Sequence, residues 1–232
     1  MTLAIMQPYF LPYIGYLQLM NTVDKFVFYD DVAFINRGWV NRNRMLVGGK
    51  EHLFTVPLQG ASQNKTIREI ALSSDPKWRG KLLKTVEQSY RKASHYEDVM
   101  PMLERIVNFE ADNIADYIFH SFTELTAYLD ITTALIPSST IYENGHLKAQ
   151  ERILDICGQE GATHYINPIG GQELYDRQRF ADAGVQLSFI QSKRVEYTQQ
   201  APEFVPWLSI LDILMVNNVN DVRAMFGAFE LV

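Results

Sequence analysis

LAIMQPYFLPYIGYLQLM, from Leu3 to Met20, and DKFVFYDDVAFINRGWVNRNR, from Asp24 to Arg44, decide how this chain is read. Residues 3–6 are an unbroken apolar run, the pattern of a parallel strand buried on both faces. Pro8 and Pro12 bracket an extended loop, because proline restricts its own φ and the residue before it. Ile14–Thr22 has helical spacing, with Ile14, Leu17, Leu19 and Met20 inward. Residues 25–29 form a second buried strand that ends at Asp30 and Asp31. A strand, a helix and a parallel strand in succession build a ligand crevice at the strand C-termini. The tyrosines and prolines crowded into the first loop exceed what packing a turn requires, and they mark it as a site.

Beyond Arg44, the segments RNRMLV, GGK and EHLFTVPL read as an antiparallel hairpin, and residues 67–72 as a further edge strand. Ser73, Ser74 and Asp75 precede Pro76, a helix-start signature. Helical spacing then runs over residues 77–92, 96–107 and 111–129. From residue 134 strands and helices alternate again. Strands are expected at 134–137, 164–167 and 186–191, and helices at 147–159, 172–183, 209–215 and 219–226. Gly161 and Gly184 close two of these helices. The pattern predicts one α/β domain over residues 1–232. Its core is a Rossmann-like, mostly parallel sheet, with an inserted β-hairpin and a helical block at about residues 76–130.

A hydrophobic content of 47% supports a full core, and a net charge of -6 argues against a nucleic-acid partner. The single cysteine, Cys157, excludes an intrachain disulfide, and its place in ERILDICG is that of an inert core residue. The N-terminus does not have the pattern of a signal peptide. No apolar run reaches the ~20 residues of a membrane span. A soluble cytoplasmic protein is expected. The aromatic content of 12% and the helical block are compatible with a homodimer.

The candidate site starts at the first loop. Gln7, Tyr9, Tyr13 and Tyr16 offer stacking faces and polar groups at a strand end, and Gly15 lets a ligand approach the helix start. Asp30 or Asp31 is the candidate base; strand alternation turns only one of them toward the crevice. If residues 38–44 are extended, Trp39, Asn41 and Asn43 share one face, suited to a sugar, and Arg42 and Arg44 share the other, suited to phosphate or carboxylate. In NPIGG, Asn167 precedes Gly170 and Gly171, which permit close ligand approach, with Tyr175 and Asp176 one turn into the next helix. Tyr197 and Gln199 lie in a long loop without periodicity. Ser209 and Asp212 have the spacing of a helix-capping box. Among the five histidines, His146 has the most polar setting. No ligand spacing matches a zinc site, and no residue pattern identifies a cofactor.

Tyr13-Ile14-Gly15-Tyr16 faintly resembles the HIGH signature of nucleotidyltransferases and synthetases, with tyrosine in place of both histidines. IMQPYFLPYIGYLQL, DKFVFYDDVAFINRGWVNRNR, THYINPIGGQELYD, FADAGVQLSF and YTQQAPEFVPWLSILDILM together resemble the WbqC-like protein family over essentially the full chain. That resemblance implies a place in bacterial surface-polysaccharide (O-antigen) biosynthesis. Three readings are open. One is an enzyme, a transferase that places an acyl or aminoacyl group on an amino sugar or sugar nucleotide, or a nucleotide-dependent ligase, with Asp30 or Asp31 as base and Arg42 neutralising charge. The second, kept open because no nucleophile–base pair or metal motif is recognisable, is a non-catalytic sugar-nucleotide-binding module serving a partner glycosyltransferase. The third, a purely structural scaffold, explains the helical block but not the polar residues gathered at strand ends.

Overall fold

The computed structural model describes residues 1–232. β1 (Thr2–Met6) leads through α1 (Ile14–Thr22) to β2 (Lys25–Phe28), and the two strands pair in parallel, Leu3 beside Lys25 and Met6 beside Phe28. The hairpin follows as β3 (Arg42–Val47) against β4 (Lys50–Thr55). Gly48 and Gly49, at φ 60° and 74°, make the left-handed two-residue turn that matches strand twist. β5 (Leu58–Gln59) and β6 (Ala71–Leu72) form a separate two-stranded pair. The helical block is α2 (Lys77–Tyr90), α3 (Tyr96–Asn108) and α4 (Ile114–Leu129). Then come β7 (Ala134–Ile136), α5 (Ala149–Glu160), β8 (His164–Pro168), α6 (Arg177–Asp182) and β9 (Gln186–Ser192). α7 (Ile210–Val216), α8 (Val219–Met225) and β10 (Phe229–Leu231) end the chain.

The main sheet runs β10-β9-β8-β1-β2-β7, parallel throughout except for β10. It is the Rossmann-like α/β architecture expected from the alternation of elements. Side-chain alternation divides the interior in two. Ala4, Phe26, Phe28, Ile166 and Ile190 face the larger core, which also takes α1, α3, α4, α7 and α8. Leu3, Ile5, Val27, Tyr165, Leu187 and Phe189 face the smaller core under α5 and α6. β1 and β8 are neighbours, yet the chain leaves β1 toward β2 and leaves β8 toward β9 on the opposite side. Connections that diverge in this way open a crevice at the strand C-termini.

Several local readings change; the second hairpin strand stops at Thr55, and Leu58 pairs with Leu72 of β6 instead. Residues 67–72 are not one strand: Ile67–Glu69 is a 3-10 turn, because Thr66 and Glu69 close a capping box. Residues 172–183 are not one helix, since Ile169–Leu174 is a 3-10 turn and Asp176 starts α6 by accepting from Gln178 N at 2.8 Å. β10, absent from the sequence reading, adds an antiparallel edge to β9.

Candidate functional site

At the crevice between the ends of β1, β8 and β9 lies a cleft of about 500 Å³, within the size range of small-molecule sites. Tyr9, Pro12 and Tyr13 line it from the first loop, and Pro168, Ile169 and Gly170 from the end of β8. Ile190, Gln191 and Ser192 come from the end of β9. Trp39, Asn43 and Arg44 enter from the hairpin side, and Trp207 from the loop before α7. Trp39 is 40% exposed and Trp207 43%, unusual openness for indoles. The Tyr13 and Trp207 rings meet edge to face with centroids 6.0 Å apart.

The loop carrying Tyr9 and Tyr13 is held by contacts remote in sequence. Leu11, at a left-handed φ of 43°, offers its carbonyl to Asn43 Nδ2 at 2.8 Å and to Ser209 Oγ at 2.7 Å. The Phe10 N–H donates to the Val40 carbonyl, and the Ile210 N–H to the Pro12 carbonyl. Arg44 links the two tryptophans: its guanidinium lies 5.2 Å from the Trp39 ring centroid, and Nη2 donates to the Trp207 backbone carbonyl at 3.4 Å. Nη1 pairs with Glu51 at 3.0 Å, so the cation is partly neutralised. Burial raises the Tyr9 phenol above its ordinary value, with a further contribution from Tyr13, and burial alone raises Tyr13. Both are therefore neutral hydrogen-bond donors at physiological pH. The lining residues include neither a carboxylate nor an imidazole.

Of the residues singled out from sequence, Tyr9, Tyr13, Trp39, Asn43 and Gly170 line this cleft. The others have different work. Tyr16 is buried, packs on Phe26 and Phe122, and donates to the Gln7 carbonyl at 2.9 Å. Gly15 does not face open space, since a Cβ there would overlap the Tyr13 ring and Ser192 Oγ. Gly171 likewise makes room for the Asn167 side chain, which donates to the Tyr165 hydroxyl at 2.7 Å. Tyr175 packs edge to face on Phe180 in the smaller core, and Asp176 caps α6.

The expected alternation of residues 38–44 does not occur. Arg37 has a φ of 61°, and β3 begins only at Arg42, so Trp39 belongs to a turn. Arg42 and Arg44 both lie beside Trp39, while Asn41 donates to the Val56 carbonyl at 2.8 Å. Arg42 Nε donates to the Gly38 carbonyl. Asp30 and Asp31 follow the end of β2 and both turn toward Ser139. Asp30 is fully buried, accepts from Ser138 Oγ at 2.8 Å and pairs with Arg68 at 3.0 Å. Asp31 pairs with the buried Arg152 at 2.5 Å. Neither carboxylate is among the residues lining the cleft.

Ser209 caps α7 by accepting from Leu211 N, but Asp212 does not complete a capping box. Its carboxylate is 1% exposed and accepts from Tyr90, Tyr197 and Gln199 at 2.6, 2.8 and 3.3 Å. Burial raises its pKa, against the lowering effect of those three hydrogen bonds. Tyr197 and Gln199 thus belong to a buried network. Cys157 is buried, and desolvation pushes its thiol up to about 12, as an inert core residue requires.

Arg44 also lines the cleft, as its pairing with Arg42 suggested, whereas Gln191, Ser192 and Trp207 are polar or aromatic cleft residues that the sequence reading left out of its site. Gln191 and Ser192 are signalled by their place at the C-terminal end of a parallel strand, the rule already applied to β1 and β8. Trp207 has only the weak signal of an indole after proline in an unpatterned loop.

No helix of the chain is long and apolar enough to cross a membrane. No solved structure matches the chain. The uncharacterized protein Rv1507c of Mycobacterium tuberculosis is similar to it, 29% identical over 214 residues, which cover 91% of each chain. The model of the WbqC-like protein family matches residues 7–224 and so takes in every segment of the cleft. The chain belongs to the WbqC-like protein family.

Proposed function

We propose that the cleft binds the sugar of an amino-sugar or sugar-nucleotide substrate, and that the protein takes part in transferring an acyl or aminoacyl group to it during surface-polysaccharide assembly. The observation that carries this reading is the pair of open indoles, Trp39 and Trp207, with Tyr9 and Tyr13 between strand ends. The C–H face of a sugar ring stacks on such aromatic surfaces, and its hydroxyls need the donors and acceptors that Tyr and Gln provide. Arg44 at the same wall suits a phosphate or carboxylate on the ligand. Family membership supports the polysaccharide setting.

A second reading is presentation of the sugar nucleotide to a partner glycosyltransferase without chemistry. It is favoured by a lining that holds tyrosines, amides and one arginine but no carboxylate or imidazole.

The test is a thermal-shift panel with UDP-sugars, dTDP-amino sugars, ATP, AMP and coenzyme A, with and without magnesium. A ligand that binds the folded state raises the unfolding midpoint. A shift with a sugar nucleotide that shrinks in Trp39→Ala and in Trp207→Ala supports the cleft. No shift with any sugar nucleotide sinks the reading, and a shift confined to ATP or AMP favours adenylate chemistry. Mass spectrometry of the bound sugar nucleotide after incubation with acyl or aminoacyl donors then separates transfer from presentation.

A further inference from the structure

Trp207 reaches the cleft at the end of a long irregular segment, and its backbone has a left-handed φ of 61°. A bulky residue stays in that conformation only when its surroundings hold it there. On the C-terminal side, Ser209 N donates to the Arg44 carbonyl at 2.9 Å, and Ile210 N to the Pro12 carbonyl at 2.7 Å. On the N-terminal side the hold is a side-chain clamp. Gln199 Nε2 donates to the Val205 carbonyl at 2.9 Å, and Gln199 Oε1 accepts from the Val205 N–H at 2.8 Å. The same Nε2 reaches the Tyr197 hydroxyl at 2.9 Å and Asp212 Oδ2 at 3.3 Å. The other carboxylate oxygen accepts from Tyr90, whose hydroxyl accepts in turn from Leu46 N of β3 at 2.9 Å.

A buried carboxylate served only by neutral donors is an expensive group, and an apolar side chain would pack more cheaply. What the carboxylate accomplishes is a connection: α2, β3, α7 and the loop before Trp207 meet at one point. We propose that Asp212, Tyr197 and Gln199 are positioning residues that set the Trp207 indole against the cleft. None of the three lines the cleft, so their influence on a ligand passes through Trp207. This last step rests on the cleft being a binding site; the positioning itself does not.

The experiment is ¹⁹F NMR of the full chain labelled with 5-fluorotryptophan. It carries three tryptophans, Trp39, Trp78 and Trp207, each assigned by its Trp→Phe variant. In Gln199→Leu, the Trp207 resonance shifts and broadens while that of Trp78 stays in place. Tyr197→Phe removes one hydroxyl, gives a smaller shift in the same resonance, and serves if Gln199→Leu does not fold. An unmoved Trp207 resonance in the folded variants overturns the proposal, as does an equal movement of Trp78, which signals a general loosening.

The second arm measures affinity for UDP-N-acetylglucosamine in a double-mutant cycle. Gln199→Leu lowers it severalfold in the wild type and leaves it unchanged in Trp207→Ala. Equal loss in both backgrounds overturns the route through Trp207. If wild type does not bind this sugar nucleotide, its use as ligand fails, and the NMR arm still decides the positioning.

Discussion

Gly15 is the position where one added carbon does the most. It is the second residue of α1, and a Cβ there has nowhere to go between the Tyr13 ring and Ser192 Oγ. The close approach brings the first loop and the end of β9 together, so two walls of the cleft share this glycine. Gly15→Ala is expected to destabilise the fold by about 1–3 kcal/mol, the range for overpacking a tight site. Thermal unfolding measures the loss, and adding Ser192→Gly recovers part of it. No recovery would mean that the Tyr13 ring alone resists the methyl group.

At the scale of elements, Asp30 joins the exits of two strands. It follows β2, and its Oδ1 accepts from Ser138 Oγ and Ser139 N just beyond β7. Arg68, in the 3-10 turn before β6, pairs with Oδ2. Asp30→Ala leaves the buried Ser139 N–H and the Ser138 hydroxyl without their carboxylate acceptor and leaves Arg68 with Asp116 as its remaining ion-pair partner. The expected loss is about 3 kcal/mol. Urea unfolding at neutral pH measures it, and a loss below about 1 kcal/mol would show that water replaces the carboxylate.

For the whole molecule, Asp212 links stability to pH. Its folded pKa is raised by burial, so the folded state holds this proton over a range where the unfolded chain has released it. The contribution is fully present below the ordinary carboxylate value and is lost as pH rises through the raised folded value. Asp212→Asn removes that dependence. The stability of wild type relative to Asp212→Asn should therefore be greatest at acid pH and fall toward neutrality. Urea midpoints across the acid range test this; a constant difference would show that burial does not shift the carboxylate.

How much of this was legible in the sequence follows from the range of the forces involved. Ile14–Thr22 is the same helix in both readings, and the parallel strands of the sheet lie within a residue or two of their expected positions. Apolar periods of two and 3.6 are local properties, and burial of one face enforces them. The crevice followed too, because a parallel crossover leaves its loops at strand C-termini. Which side chains enter it did not follow. Trp207 meets Arg44 across 163 residues, and Leu11 meets Ser209 across 198. Sequence alone determined the parallel strands, most of the helices and the edge at which a site forms, but not the strand order or the antiparallel β10. Only the tertiary structure sent Tyr197 and Gln199 into the Asp212 network, Asp30 and Asp31 to their arginines, and Trp207 to the cleft. A loop side chain points where distant partners satisfy it, and no local period encodes those partners.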